Sequence, residues 1–346
     1  MSSTTRAAIS RREFVRQAGC WAGTTSLAAS ALATADESPA DAPEGAEAAS
    51  VPQRILGRTK VPVPLFTLGT APCGSFPPPK IAELVNVALE HGVTAIDTSE
   101  KYGNWQEGVG LALGKRRKDV FLSTKVFANT IAEAEASLAK SVKLLRTDYF
   151  DVLYYHSLGN LNVERALEAD GVFTWLLKQK KAGVCRFVGI SGHNLPGRFA
   201  RFLETGQVDV LLVVINFVDR FTYHFEDEVL PLARKHNVGI VAMKVFGGAA
   251  GGNYQDPKGP QLDERYLNAA LRYALGTAGV ATANIGVHSA HQIRSNAQMV
   301  RNFRPLSPEE SAELLRIGKT LAAKWGEHFG PVKEPKPTTT HGAAKT

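Results

Sequence analysis

Cysteine is scarce in this chain. It has three, Cys20, Cys73 and Cys185, in 346 residues. Three cannot build a disulfide framework, and no Cys-rich run offers a zinc or iron–sulfur site. Cys20 falls in the N-terminal leader. Cys73 is expected just beyond the first core strand and Cys185 just before the fifth, at opposite ends of the strands. A strand of about five residues spans roughly 16 Å, whereas a disulfide needs Cα atoms within about 7 Å, so no bridge is expected between them. Long apolar runs are missing too. The mildly apolar stretch from Ala18 to Ala33 is too short and too polar to span a bilayer, so no stable membrane insertion is expected. The formal charge of +7 is spread out, with Arg6, Arg11, Arg12 and Arg16 in the leader and three lysines in the tail. No basic stripe interleaved with aromatics is present, which argues against nucleic-acid binding. A basic surface still favours anionic ligands such as a dinucleotide phosphate. A GxGxxG turn is also lacking. After the first candidate strand the chain reads Gly69-Thr70-Ala71-Pro72-Cys73-Gly74, which disfavours an open dinucleotide-binding sheet.

What is present begins with an address. Ser10-Arg11-Arg12-Glu13-Phe14-Val15-Arg16 matches the twin-arginine export pattern, and Ala33-Thr34-Ala35 offers a small-x-small cleavage site after the apolar stretch. Residues 1–35 therefore read as a signal peptide for the twin-arginine translocation machinery, and a periplasmic location is expected. That route carries folded cargo, which suits a protein that acquires a cofactor before leaving the cytoplasm. Residues 36–54 are rich in Ala, Glu, Asp and Pro and read as a disordered linker. Residues 331–346 lack periodicity and read as a disordered tail. The stretch between, 55–330, reads as one domain, and hydrophobic residues at 44% of the chain are ample for its core.

Within that domain apolar, β-branched runs alternate with helical patterns. The strand candidates are Leu65–Thr70, Thr94–Asp97, Val120–Lys125, Phe150–His156, Phe187–Ser191, Val210–Asn216, Gly239–Lys244 and Asn284–His288. Helical stretches lie at Pro79–His91, Gln106–Gly114, Ile131–Arg146, Val172–Ala182, Gly197–Thr205, Phe225–His236 and Asp263–Ala274. In Ile131–Arg146 the residues Ile131, Ala134, Leu138, Ala139, Val142 and Leu145 share one face. The strands do not alternate in polarity, so they read as buried on both faces, as parallel strands are. Eight alternating βα units point to an α/β fold, a (β/α)8 TIM barrel.

In such a barrel the reactive groups come from the C-terminal strand ends. The polar residues at those ends are Thr70, Asp97, Lys125, His156, Ser191, Asn216 and Lys244. A charge ending an apolar strand is costly to bury unless paired, so several converging on one mouth indicate a site. Tyr102, five residues beyond Asp97, joins them. Reducing a carbonyl requires hydride at carbon and a proton at oxygen. A phenol is a sluggish donor near neutrality, and an adjacent ammonium favours its phenolate.

The set Asp97, Tyr102, Lys125 and His156, in this order and at these spacings, resembles the aldo-keto reductase superfamily, and the resemblance covers roughly Ile55 to Trp325. It implies that Tyr102 is the general acid/base, Lys125 and Asp97 tune it, and His156 orients the carbonyl. It implies an NAD(P)(H)-dependent oxidoreductase interconverting an aldehyde, ketone or sugar carbonyl and an alcohol. It also implies cofactor contacts. Ser191 matches the residue that holds the nicotinamide carboxamide. Gly192 stands where many members have asparagine, leaving His193 or Asn194 to compensate. Asn216 offers a nearby amide. Met243-Lys244-Val245-Phe246-Gly247-Gly248 resembles a cofactor segment of one branch, and the stretch from Ala249 to Leu262 is expected to fold over the cofactor. Gly286, Ser289 and Asn296 match the adenosine-phosphate segment, with Ser289 at a helix start that favours phosphate. NADPH is the expected nucleotide. NADH is the alternative, because Val287 and His288 stand where many NADPH-preferring members carry Lys or Arg, and Arg294 is the nearest cation. Trp105, Phe127, Phe217, Phe221 and Tyr223 are candidates for the substrate wall. A nicotinamide-nucleotide-binding regulatory or scaffold protein with little turnover is the alternative function. No metal site is expected.

Overall fold

The computed structural model describes residues 50–248 and 260–334. The expected leader (1–35), most of the linker, residues 335–346 of the tail and most of the stretch from Ala249 to Leu262 lie outside the described residues.

A short antiparallel hairpin comes first, β1 (Gln53–Ile55) against β2 (Pro62–Pro64). Eight parallel strands follow: β3 (Phe66–Gly69), β4 (Ala95–Asp97), β5 (Phe121–Val126), β6 (Phe150–Tyr155), β7 (Cys185–Gly192), β8 (Val210–Val214), β9 (Gly239–Met243) and β10 (Val280–Gly286). They close into a barrel in chain order, with β10 paired to both β9 and β3. Nearly every strand residue is buried, because the barrel interior is filled on one side and helices cover the other. Seven strands fall where the apolar runs predict them. The eighth starts at Val280, earlier than the expected Asn284. Its alanines, Ala281 and Ala283, have weak strand preference. Burial between β9 and β3, not propensity, makes that strand.

The longer helices are α1 (Pro78–Glu90), α2 (Trp105–Leu113), α3 (Ile131–Leu145), α4 (Val172–Lys181), α5 (Gly197–Glu204), α6 (Leu267–Gly276), α7 (Ala290–Arg301) and α8 (Pro308–Trp325). On α3 the face holding Ala134, Leu138 and Leu145 is buried as expected, and Ser141 joins it by accepting from Gln106 Nε2 at 3.0 Å. The helix starts on a capping box in which Thr130 and Glu133 satisfy each other's backbone N–H groups. The single helix expected over Phe225–His236 is broken into Phe225–Glu228 and Leu230–Lys235. Pro231 is the cause. It has no N–H to donate, and its ring clashes with the preceding turn, so it fits only a first turn. No helix among the described residues is long and apolar enough to cross a membrane.

Two boundaries move. Residues 50–54, assigned to the linker from composition, carry buried Val51 and the start of β1, where Arg54 Nη1 donates to the carbonyls of Leu275 and Val280. Residues 331–334, assigned to the tail, are docked. Pro331 O accepts from Leu195 N and Asn194 Nδ2, and Glu334 pairs with Arg198. Composition predicts disorder where no apolar surface can be buried. Here backbone carbonyls and one carboxylate make the contacts, and these leave little trace in hydropathy. Just before them, Phe329 rests on Tyr223 and His193, so the segment after α8 lies across the C-terminal end of the barrel.

Candidate active site

Asp97 is the last residue of β4 and is almost fully buried. Its carboxylate accepts from three side chains. Ser123 Oγ donates to Oδ1 at 2.6 Å, and Lys125 Nζ at 2.5 Å and Asn284 Nδ2 at 2.7 Å share Oδ2. Lys125 Nζ also donates to Thr98 O at 3.0 Å. Burial lowers the Lys125 pKa, and the charge and hydrogen bond of Asp97 push the other way. The carboxylate thus keeps this interior ammonium ionised, as a buried charge requires.

Tyr102 sits in the loop after β4. Gly103 makes its turn: φ is +61°, and a Cβ there would stand 2.2 Å from Gly74 O, so only glycine fits. The turn presents the Tyr102 ring 4.9 Å from Lys125 Nζ, measured to the ring centre. His156 follows β6 and meets Tyr102 edge-on, with ring centres 6.0 Å apart. Burial, with Lys125, Lys244 and Lys101 as further causes, holds the His156 pKa well below 6.5. The imidazole is therefore neutral near pH 7, one nitrogen a donor and the other an acceptor. Its Nδ1 is buried with no partner among the described residues.

These four residues line one cavity of about 330 Å³ at the C-terminal end of the barrel. Thr70, Ser191, Lys244, Phe246, Gly286 and Asn296 line it as well. Asn216 and Ser289 do not. Asn216 is spent locally, its Oδ1 accepting from Val218 N and Asp219 N while Nδ2 donates to Asp219 Oδ2 and Lys244 O. Ser289 caps α7, accepting from Gln292 N at 3.3 Å. Between His193 and Asn194, the two residues expected to compensate for Gly192, the structure separates the roles. Asn194 is turned to Pro331 O, whereas His193 lines the cavity. Burial and the nearby lysine and histidine charges hold His193 well below its ordinary pKa. Arg294 is exposed on α7 and outside the lining. Among the aromatics, Trp105, Phe217 and Tyr223 are fully buried, and Phe127 alone is well exposed, edge-on to His156 at 6.3 Å. Asn284 is the residue sequence reasoning missed. The signal was an amide in an apolar strand, read as a strand start because β10 was placed too late.

The lining suits a nicotinamide dinucleotide. Ser191 Oγ is buried with no hydrogen-bond partner among the described residues, which fits a hydroxyl that bonds a ligand. A Cβ at Gly286 would stand 2.6 Å from Pro72, and one at Gly247, whose φ is +87°, 2.6 Å from Pro260 O. Backbone free of side chains therefore borders the cavity at both positions, the kind of surface that admits close approach of a pyrophosphate. Lys244 adds a cation whose pKa burial lowers to about 8.

A closed (β/α)8 barrel with polar groups gathered at its C-terminal strand ends is an enzyme architecture, and comparison with known proteins gives the class. The model of the Aldo/keto reductase family matches residues 65–269, more than half of the chain. The protein belongs to this family and is an oxidoreductase of its type. The methylglyoxal reductase DkgB of Escherichia coli O157:H7 is 29% identical over 188 residues, spanning 52% of this chain and 66% of that protein. The uncharacterized oxidoreductase YqkF of Bacillus subtilis (strain 168) is 25% identical over 300 residues, spanning 75% of this chain and 94% of that protein. An aldo-keto reductase from Klebsiella pneumoniae, solved in complex with NADPH, shares the fold with a TM-score of 0.61. It is 23% identical, with 76% of this chain and 94% of that one covered.

Proposed function

We propose that the protein is an exported, NADPH-linked oxidoreductase that interconverts a small carbonyl and its alcohol, with Tyr102 carrying the proton. The convergence of Tyr102, Lys125, Asp97 and His156 on one cavity carries this reading. Bound NADPH supplies the hydride to the carbonyl carbon. The Tyr102 hydroxyl gives its proton to the carbonyl oxygen, so the products are an alcohol, an oxidised nucleotide and a phenolate that solvent reprotonates. The Lys125 ammonium stabilises that phenolate, and Asp97 keeps the ammonium charged and in place. Neutral His156 donates an N–H to the carbonyl oxygen and orients it. In the oxidative direction each proton moves back. Thr70, Ser191, His193, Phe246, Gly286 and Asn296 hold the nucleotide, and Lys244 faces its phosphates. The complex of the Klebsiella relative favours NADPH over NADH. Export rests on the Arg11-Arg12 motif and the apolar stretch behind it.

The test follows nucleotide absorbance with a panel of aldehydes, ketones and sugars. Tyr102→Phe is expected to lower kcat by about 10²–10⁴-fold, the usual worth of a positioned proton donor, while nucleotide Kd stays near the wild-type value. Equal turnover in the two proteins sinks the assignment. Mass spectrometry of the secreted protein is expected to find an N-terminus after Ala35, and an intact leader on the periplasmic fraction argues against cleavage there.

A further inference from the structure

One polar contact inside the barrel skips a strand. Asn284 lies on β10 and Asp97 ends β4, with β3 between them. Asn284 Nδ2 nevertheless donates to Asp97 Oδ2 at 2.7 Å. Gly69 lets it pass. This last residue of β3 is paired with Gly286 on one side and Asp97 on the other. A Cβ at Gly69 would stand 2.4 Å from Asn284 Oδ1, so a side chain there would block the amide. Charge fixes which way the amide points, because reversing it would set Oδ1 against a carboxylate that only accepts. Asn284 Oδ1 is left buried with no hydrogen-bond partner among the described residues. An orphaned acceptor costs stability. Leucine would fill the same space without that cost, so packing alone does not account for an asparagine here.

We propose that Asn284 is a positioning residue of the acid/base site, which holds Asp97 and draws off part of its charge so that the Lys125 ammonium acts on Tyr102 instead of being neutralised. The consequence for turnover rests on the reading of Tyr102 as proton carrier. Asn284 and Lys125 share one oxygen of Asp97 while Ser123 holds the other. Without the amide, the negative charge concentrates on Lys125, and the net field of the pair at Tyr102 weakens. The phenol then ionises at higher pH. The other titratable groups around the pair are Tyr154, whose ring centre is 5.9 Å from Lys125 Nζ, His156, on which Lys101 and Lys244 act, and His193, on which Lys125 and Lys244 act. Burial keeps Tyr154 un-ionised well beyond pH 10, so Tyr102 can be followed against it.

The experiment is an ultraviolet phenolate titration of the full chain, read as wild type minus Tyr102→Phe and as Asn284→Leu minus Asn284→Leu/Tyr102→Phe. In the Asn284→Leu pair the Tyr102 midpoint is expected to move up by about half a unit to one unit, the scale of one lost hydrogen bond to a carboxylate. The melting temperature should move little, because the orphaned acceptor goes while Asp97 loses only one of its three donors. The alkaline limb of kcat for carbonyl reduction should move with the midpoint, and KM should not change. Coincident midpoints overturn the proposal, as does a drop in melting temperature with no change in midpoint. The titration needs neither nucleotide nor substrate. A wild-type protein that neither binds NADPH nor turns over therefore refutes the redox reading without touching this one. If Asn284→Leu fails to fold, Asn284→Thr, too short to reach Asp97, gives the same comparison.

Discussion

Replacing Lys125 by methionine keeps the reach of the side chain and removes its charge. Nζ lies 4.9 Å from the centre of the Tyr102 ring. At that distance two unit charges in a medium of effective dielectric about 20 interact by about 3 kcal/mol. One pKa unit corresponds to about 1.36 kcal/mol, so the Tyr102 phenol should ionise about two units higher in Lys125→Met. The stranded Asp97 carboxylate pushes the same way. The variant should also be less stable. Removing one partner of a buried pair typically costs about 3–5 kcal/mol, and the lower end applies because Ser123 and Asn284 still donate to Asp97. The double variant Asp97→Asn/Lys125→Met has no uncompensated charge and should recover much of that loss. The assay is kcat against pH for both variants and wild type, with urea unfolding in parallel. If Lys125→Met binds nucleotide and its alkaline limb superimposes on that of wild type, the ammonium does not tune the phenol. If the double variant is no more stable than Lys125→Met, the pair is not coupled as its geometry requires.

Other consequences follow from the same electrostatics and packing. Burial raises the Glu226 pKa to about 7 from an ordinary 4.5. The native state thus holds a proton that the unfolded chain has released, and this stability is full below pH 4.5 and lost as pH rises through about 7. The loss is about 3 kcal/mol, so Glu226→Gln should raise the melting temperature at pH 8 and change it little at pH 4.5, and equal effects at both would contradict the shift. If the nucleotide sets a phosphate against Lys244 as proposed, it favours the charged form of that side chain. Above its pKa of about 8, NADPH binding should take up a proton and weaken about tenfold per pH unit, and Lys244→Met should flatten that slope in calorimetric titration. Gly318 on α8 lies so close to Phe217 that a Cβ would stand 2.0 Å from its carbonyl oxygen. Gly318→Ala should therefore cost about 1–3 kcal/mol through overpacking, and an unchanged denaturation midpoint would mean that α8 is free to shift.

The legible parts of this protein are those in which one local pattern carries the physics. A parallel strand buried on both faces must be apolar throughout, so a charge at its end stands out. That is how Asp97 and Lys125 can be picked from sequence. Tyr102 is legible through its spacing, five residues beyond Asp97, in a set that resembles the family's, and the αL turn at Gly103 is what brings its ring to the site. Asn216 misleads for the opposite reason. At a strand end it resembles a site residue, yet Asn216 and Asp219 build a local turn whose hydrogen bonds use the whole amide. Asn284 is illegible from sequence because its partner is two strands away in space and 187 residues away in the chain. Its reach depends on barrel closure and on the missing side chain of Gly69. The docking of residues 331–334 is hidden in the same way, since Pro331 contributes a carbonyl that every residue possesses.

Burial also narrows which group in the cavity can carry a proton. His156 and His193 are both pushed well below their ordinary pKa, first by desolvation and then by the lysines around them. Near pH 7 neither holds a spare proton to give, although each keeps one N–H to donate in a hydrogen bond. Lys125 holds protons, but two are directed at Asp97 and at Thr98 O, and losing one would leave Asp97 as an unpaired buried charge. Asp97 itself is engaged by three donors. On the proposed reading, only the Tyr102 hydroxyl among these five groups combines a transferable proton with a neighbouring cation that stabilises what remains after transfer. Because burial, aided by the lysine charges, keeps both histidines neutral, no imidazolium competes with the proposed proton carrier for the substrate oxygen.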